Sequence, residues 1–398
     1  MIPLVDAASW VIAAGAGIPC LVLSTEIMLG LSEAQDQAAG LPEARSVVIV
    51  PAHDEAAVIE ASLCALKAAV PTNTRILVVA DNCTDETAAI ARGTGVDVVE
   101  RHDRERRGKG YALAFARDHL AGTQGTQPDV VVVLDADCRL APGSIERLAG
   151  ACVATGRPAQ ARNLLVPPGD ANPMVQISCF AFALKNLVRA RGLQRMAGAI
   201  TLMGTGMAFP WPLFSGLPLA SGHLAEDMEL GVALIRQGKG ALLVPSASVT
   251  SPPAAPADTL EQRKRWEHGF LSVATRQAVP LLVEGLVRRR RALVALGLDL
   301  MVPPLALMGV LVLFAGIAVA IACLAGASVL PLVCLGAIAA LTTALVLIAW
   351  FIHGRAFLRP GALLRVPFYV LWKLPLYLGL VKGRETRWVR TRRRVERG

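Results

Sequence analysis

Asp129-Val130-Val131-Val132-Val133-Leu134-Asp135-Ala136-Asp137 is the stretch on which the fold turns. Four successive valines and a leucine, with no polar residue alternating among them, describe a strand buried on both faces, as in the interior of a parallel sheet. In the extended continuation, residues i and i+2 point the same way, so Asp135 and Asp137 present two carboxylates to one side. Upstream the same texture recurs. Residues 46–50 form an unbroken apolar run ended by Pro51, followed by Val58, Ile59, Leu63 and Leu66 at helical spacing. A second strand is expected over 75–80, with Thr84 or Asp85 capping the helix after it, and a third over 96–100. Strands alternating with amphipathic helices predict an α/β unit with a mostly parallel sheet, whose ligands bind beyond the carboxyl ends of the strands.

Outside this region the chain changes character. It has 398 residues, 54% of them hydrophobic, and a mean hydropathy of +0.50, too apolar for an ordinary soluble enzyme. Residues 10–30 are apolar enough to cross a bilayer, provided Glu26 sits near an interface or faces a protein partner. A cleaved signal peptide is the rival, but no basic region precedes the segment. Two further spans are expected over 301–324 and 329–352, joined by the uncharged link Ala325-Gly326-Ala327-Ser328. Arginines at 288–291 before the first and Arg355 and Arg359 after the second place both outer ends in the cytoplasm. Residues 360–380 mix large apolar side chains with Arg365 and Lys373, as an interfacial helix does. The expected organisation is a transmembrane anchor over 1–31, a cytoplasmic domain over 42–280, a transmembrane hairpin over 292–353, and an interfacial helix with a basic tail over 360–398. The net charge of +9 gathers around the apolar spans, so membrane lipids, and no nucleic acid, are the expected partners of the basic clusters. Eight cysteines without a Cys-x-x-Cys pair read as reduced thiols, with neither disulfides nor structural zinc.

Polar residues of unusual kind follow the strands: Pro51-Ala52-His53-Asp54-Glu55 after the first, Asp81-Asn82-Cys83-Thr84-Asp85 after the second, Asp135-Ala136-Asp137 after the fourth. Paired aspartates suit Mg²⁺ or Mn²⁺ on a diphosphate, or they mark a solvated turn. Glu226 and Asp227 open a helical pattern at Met228, Leu230 and Leu234, where acids ordinarily complement the helix dipole. Gln262, Arg265 and Trp266 share one helical face, with Thr259 and Gln262 spaced as a capping box. That arginine and indole suit either an apolar surface or a clamp on a diphosphate. Gly108-Lys109-Gly110-Tyr111 lacks the remaining signature of a P-loop, and Gly204-Thr205-Gly206 lacks the third glycine of a dinucleotide fingerprint.

The ordered set, Pro-Ala-x-x-Glu, then Asp with Thr-Asp, then Asp-x-Asp, then Glu-Asp, then Gln-x-x-Arg-Trp, resembles glycosyltransferase family 2 with the GT-A fold over residues 46–270. It is most similar to the membrane-bound members, such as cellulose, chitin and hyaluronan synthases and their non-processive relatives. The resemblance implies an inverting transfer from a UDP-sugar to an acceptor hydroxyl at the cytoplasmic face of the plasma membrane, in exopolysaccharide or cell-surface glycan synthesis. It implies that Pro51, Ala52, His53, Glu55 and Asp81 hold the uridine, with Lys109 near the nucleotide and Asp135 at the diphosphate. Asp137, with Asp135, would ligate Mg²⁺ or Mn²⁺. Asp227 would be the catalytic base, and Glu226, Gln262, Arg265 and Trp266 would face the diphosphate and acceptor. Two departures stand out: Ala225 replaces a frequent Thr, and Ala80 replaces a frequent second Asp. A lipid acceptor (polyprenyl phosphate or ceramide-like) is the alternative within the fold. An inactive scaffold of a polysaccharide-export complex is the alternative outside it, and loss of the acidic motifs would be its mark.

Overall fold

The computed structural model describes residues 2–33, 44–123, 127–222, 225–254 and 259–382. The basic tail expected over 383–398 lies outside the described residues, and so does the Thr259 side chain expected in a capping box. Two compact units divide the chain.

One unit comprises the described parts of Glu33–Pro168 and Ala199–Trp266. Its sheet has eight strands: β1 (Ser46–Ala52), β2 (Arg75–Asp81), β3 (Asp97–Arg101), β4 (Val130–Val133), β5 (Arg139–Leu140), β6 (Ala159–Leu165), β7 (Met207–Pro210) and β8 (Leu242–Ser251). They lie in the order β3-β2-β1-β4-β7-β6-β8-β5. β3, β2, β1 and β4 are mutually parallel, as are β6 and β8, whereas β7 and β5 run antiparallel to their neighbours. The four expected strands are β1 to β4, and their apolar runs are buried on both faces: Val47 to Val50 and Val130 to Val133 are at most 3% exposed. Packing against Ile59, Leu63, Ile145 and Leu148 covers one face. Because β1, β2 and β3 are parallel and in register, with Ala52 opposite Ala80 and Asp81 opposite Arg101, their carboxyl ends deliver side chains to one edge.

The other unit comprises Met1–Ser32, Gly169–Gly198 and Glu267–Arg384, of which the described residues are almost all helical. Four described helices are long and apolar enough to cross a membrane: Pro3–Gly30, Gln262–Val287, Leu305–Leu324 and Leu330–Gly354. Three are the expected spans. The fourth, Gln262–Val287, starts inside the expected cytoplasmic domain, and its basic first turns precede an apolar second half. The helix Val366–Lys382, over the expected interfacial segment, is not among the four.

Glu26 has the protein partner its position demands. It is fully buried, and its Oε2 accepts from Arg189 Nε at 2.6 Å, while Arg189 Nη2 donates to Asp299 Oδ1 at 2.8 Å. Arg189 ends a π-helical stretch, Leu184–Arg189, between the helices Pro173–Ala183 and Ala190–Ala197. The first helix approaches this segment so closely that a Cβ on Gly192 would stand 2.0 Å from the Glu26 carbonyl oxygen. Arg195 caps the first helix by donating to the carbonyls of Leu29 and Ser32. Replacing Arg189 by Ala strands the buried Glu26 carboxylate and removes the partner of the partly buried Asp299, a loss of about 3–5 kcal/mol. The expected outcome of Arg189→Ala is a markedly lower thermal midpoint in detergent, partly restored by adding Glu26→Gln; an unchanged midpoint contradicts the assignment.

Candidate active site

The first two strand ends share one hydrogen-bonded edge. His53 Nδ1 lies 2.7 Å from the Asp81 carbonyl oxygen, and Asp54 accepts from Thr84 N at 2.6 Å. The N-cap of the following helix (Thr87–Gly93) is Glu86, not the expected Thr84 or Asp85; Asp85 Oδ1 accepts from Thr87 N one residue further back, and Thr84 binds Asp54. Asp54 and Asn82 both adopt positive φ, 52° and 53°, a conformation tolerated by Asp and Asn at modest cost and concentrated at functional sites. Glu55 is buried, its N–H donating to Thr87 Oγ1 and its carbonyl accepting from Val58 and Ile59. Pro51 and Ala52 complete β1 behind them.

Asp81 is buried, and the partner that makes this tolerable is Arg101, at the matching end of β3. Arg101 Nη1 donates to Asp81 Oδ1 at 2.6 Å, and Asn82 Nδ2 donates to the same oxygen at 3.0 Å. Burial raises the Asp81 carboxyl above its ordinary range, with Arg101 pulling against it. Arg101 also lies against Asp103 and over the Tyr111 ring. The sequence reading passes over Arg101, since a basic residue at the end of a half-exposed strand has no motif around it; only the register with Asp81 reveals it.

The third group gathers around Lys109, at the start of the helix Lys109–Gly122. Its Nζ donates to Asp135 Oδ1 and, at 2.7 Å, to the Gly204 carbonyl. The next backbone N–H, of Gly110, donates to Glu226 Oε2 at 2.9 Å. A Cβ at Gly110 would meet the Leu219 carbonyl at 2.3 Å and Glu226 Oε2 at 2.6 Å, so only glycine fits there. Gly204-Thr205-Gly206 belongs to the site as a support: Thr205 Oγ1 accepts from Asp135 N at 3.0 Å, and the side chain of the fully buried Gln160 bonds both Met203 N and Thr205 O. Asp227 Oδ2 stands 3.2 Å from where a Gly204 Cβ would lie.

Asp135, Asp137 and Cys138 offer ligand atoms within 4.8 Å of one another. Burial pushes the Cys138 thiol well above its ordinary value, while Asp135 and Asp137 offer two half-exposed carboxylates. Hard oxygen donors of this kind fit Mg²⁺ or Mn²⁺. Glu226 and Asp227 do not cap in the ordinary way: Ala225 is the N-cap of the helix Glu226–Arg236, and Glu226 turns to the neighbouring helix start. Gln262, Arg265 and Trp266 lie on the helix Thr259–Val287, where Arg263 stacks over the Trp266 ring at 4.9 Å.

A family model for glycosyltransferase-like family 2 matches residues 42–269. The chain belongs to this family. Among solved structures, the chain is similar to a mannosyltransferase from Pyrobaculum calidifontis in complex with GDP-Man and Mn²⁺, at 20% identity and a TM-score of 0.52, over 93% of this chain and 99% of that one. It is also similar to glucosyl-3-phosphoglycerate synthase from Mycobacterium tuberculosis in complex with Mn²⁺, UDP-Glc and phosphoglyceric acid, at 20% identity and a TM-score of 0.42, over 59% and 80% of the two chains. No curated protein gives a match. The chain is therefore a glycosyltransferase of GT-A-like fold, with the mostly parallel sheet that fold requires.

In this family-2 chain, burial lifts the Glu226 carboxyl from 4.5 to about 8, with Lys109 and the Gly110 N–H pulling it down and Asp227 and Asp135 pushing it up. A carboxyl whose folded value lies above its unfolded value binds more protons when folded, so stability falls as pH rises through that interval and the loss is complete above the folded value. The metal-free Glu226→Gln variant escapes this loss. Its thermal midpoint, minus that of the parent, is expected to increase from about pH 5 to about pH 9; a constant difference would show that Glu226 ionises normally.

Proposed function

We propose that the chain transfers a sugar from a nucleotide-sugar, a UDP-sugar first among the candidates, to an acceptor hydroxyl at the cytoplasmic face of the plasma membrane, with inversion at the anomeric carbon. A role in exopolysaccharide or cell-surface glycan synthesis, in the manner of the membrane-bound synthases, goes with it. What carries this reading is the gathering of Asp135, Glu226 and Asp227 around Lys109 beside the Asp81–Arg101 pair.

In this reading Asp81 takes a base N–H on Oδ2, since Arg101 and Asn82 engage Oδ1. Pro51, Ala52, His53 and Glu55 wall the nucleoside. Asp137, with Asp135, holds Mg²⁺ or Mn²⁺, which when bound absorbs charge developing on the departing nucleoside diphosphate. Asp227 removes the acceptor proton as the hydroxyl attacks, and the transfer is a single displacement without a covalent sugar–enzyme intermediate. Glu226, mostly protonated at neutral pH, orients the acceptor and leaves the proton to Asp227. Gln262, Arg265 and Trp266 cover the diphosphate and acceptor. The four membrane-length helices favour, as a second reading, a lipid acceptor of polyprenyl-phosphate or ceramide type, whose product would partition into organic solvent.

Asp227→Asn keeps the helix start but removes the proton acceptor, so the transfer rate is expected to fall about 10²- to 10⁴-fold with nucleotide affinity retained. Retention of more than about a tenth of the rate would send the proton elsewhere. For topology, the arginines at 288–291 and Arg355 and Arg359 support Met1 outside, residues 46–291 inside, Ala327 outside and Gly398 inside, which keeps the helix Gln262–Val287 on the cytoplasmic side although it is long and apolar enough to cross. Reporter fusions within 46–291 are expected to be active only as cytoplasmic reporters; an active external reporter there contradicts the topology.

A further inference from the structure

Lys109 places a positive charge on one of the two carboxylates read as metal ligands. Its ammonium donates to Asp135 Oδ1 and the Gly204 carbonyl, and the side chain is only partly exposed. Asp135 in turn lies within ligand distance of Asp137, the pair that fits a hard divalent cation. The backbone around it is tightly packed: a Cβ on the adjoining Gly110 would meet the Leu219 carbonyl at 2.3 Å, and Gly108, at φ 126°, is the N-cap of the helix.

We propose that Lys109 acts as a tethered cation that occupies Asp135 in the nucleotide-free protein and withholds that carboxylate from the divalent metal until a nucleoside diphosphate draws the ammonium away. A carboxylate bonded to an ammonium is a poor ligand, because the metal must first displace the charge that already neutralises it. The diphosphate offers Lys109 a more highly charged acceptor, and Asp135 is released to the metal as the nucleotide arrives. Metal and nucleotide therefore bind with positive coupling, and by linkage each raises the affinity for the other. The proposal rests on the reading of Asp135 and Asp137 as metal ligands.

The test is direct titration of Mn²⁺ into full-length protein in detergent, with free Mn²⁺ followed by electron paramagnetic resonance, for the parent, Lys109→Met and Lys109→Gln. Each is titrated alone, with UDP and with GDP. The parent alone is expected to bind Mn²⁺ weakly, and either variant alone at least roughly tenfold more tightly. The tightening of Mn²⁺ binding by nucleotide seen in the parent is expected to shrink in both variants. Unchanged or weaker Mn²⁺ binding by both variants, each with a parent-like thermal midpoint, overturns the tethered-cation role while leaving the metal site intact. If the parent binds no Mn²⁺ even with nucleotide, the metal reading itself fails and this inference falls with it. The two variants differ in side-chain shape but not in charge, so disagreement between them would assign the effect to packing and also overturn it.

Discussion

Parallel strands send their carboxyl ends to one edge, and in this chain that edge carries Asp81, Asp135 and Asp137, with Glu226 and Asp227 arriving from a helix start. Bringing so many acids together is unfavourable unless cations are built into the same edge. Two are placed by the backbone itself. Arg101 faces Asp81 through the register of β2 and β3, and Lys109 reaches Asp135 from the first turn of its helix. Each cation does what a motif search does not register: it sets which carboxylate oxygen remains to meet a ligand. Gly110 permits the close approach of Glu226 and the Leu219 carbonyl, and Gln160 and Thr205 hold the loop against which Lys109 bonds.

Much of this was legible before any coordinates. β1, β2 and β4 are marked by runs such as Val-Val-Ile-Val and Val-Val-Val-Val, which have no other plausible home than a doubly covered sheet, and the acids follow them directly. The second half of the sheet was hidden for a physical reason. β6 is Ala-Gln-Ala-Arg-Asn-Leu-Leu and β8 contains Pro245 and four hydroxyl residues, so neither shows the apolar run or the clean alternation from which strands are read. Their polar side chains are internal struts: Gln160 is fully buried and spends its amide on Met203 and Thr205. Gly204-Thr205-Gly206 carries a visible signal, paired glycines around a hydroxyl, but it fails as a dinucleotide fingerprint, and nothing else in the sequence marks its supporting role.

The helical unit shows the same economy with buried charge. Glu26 in an otherwise apolar helix is an anomaly in sequence, and its explanation is a partner 163 residues away. Arg189 bridges Glu26 and Asp299, tying three separate helical segments, while glycines at 30 and 192 let the backbones touch. The pairing works within one chain because the segment 169–198 leaves the sheet after β6 and returns to it at β7, an excursion that no turn signal near Pro167 and Pro168 distinguishes from an ordinary loop. Hydroxyls supplement it: Ser24 and Thr342 meet at 3.0 Å between the first helix and Leu330–Ala349.

The central claim is that this edge of carboxylates handles a nucleotide-sugar with a divalent cation. Incubating the purified protein in detergent with a panel of UDP- and GDP-sugars, with Mn²⁺ or with excess EDTA, and measuring released nucleoside diphosphate tests it most directly. The account predicts release from a UDP-sugar that depends on the added cation and disappears in EDTA. Full release in EDTA would contradict the metal assignment, and release from GDP-sugars alone would contradict the assignment of the base-binding residues.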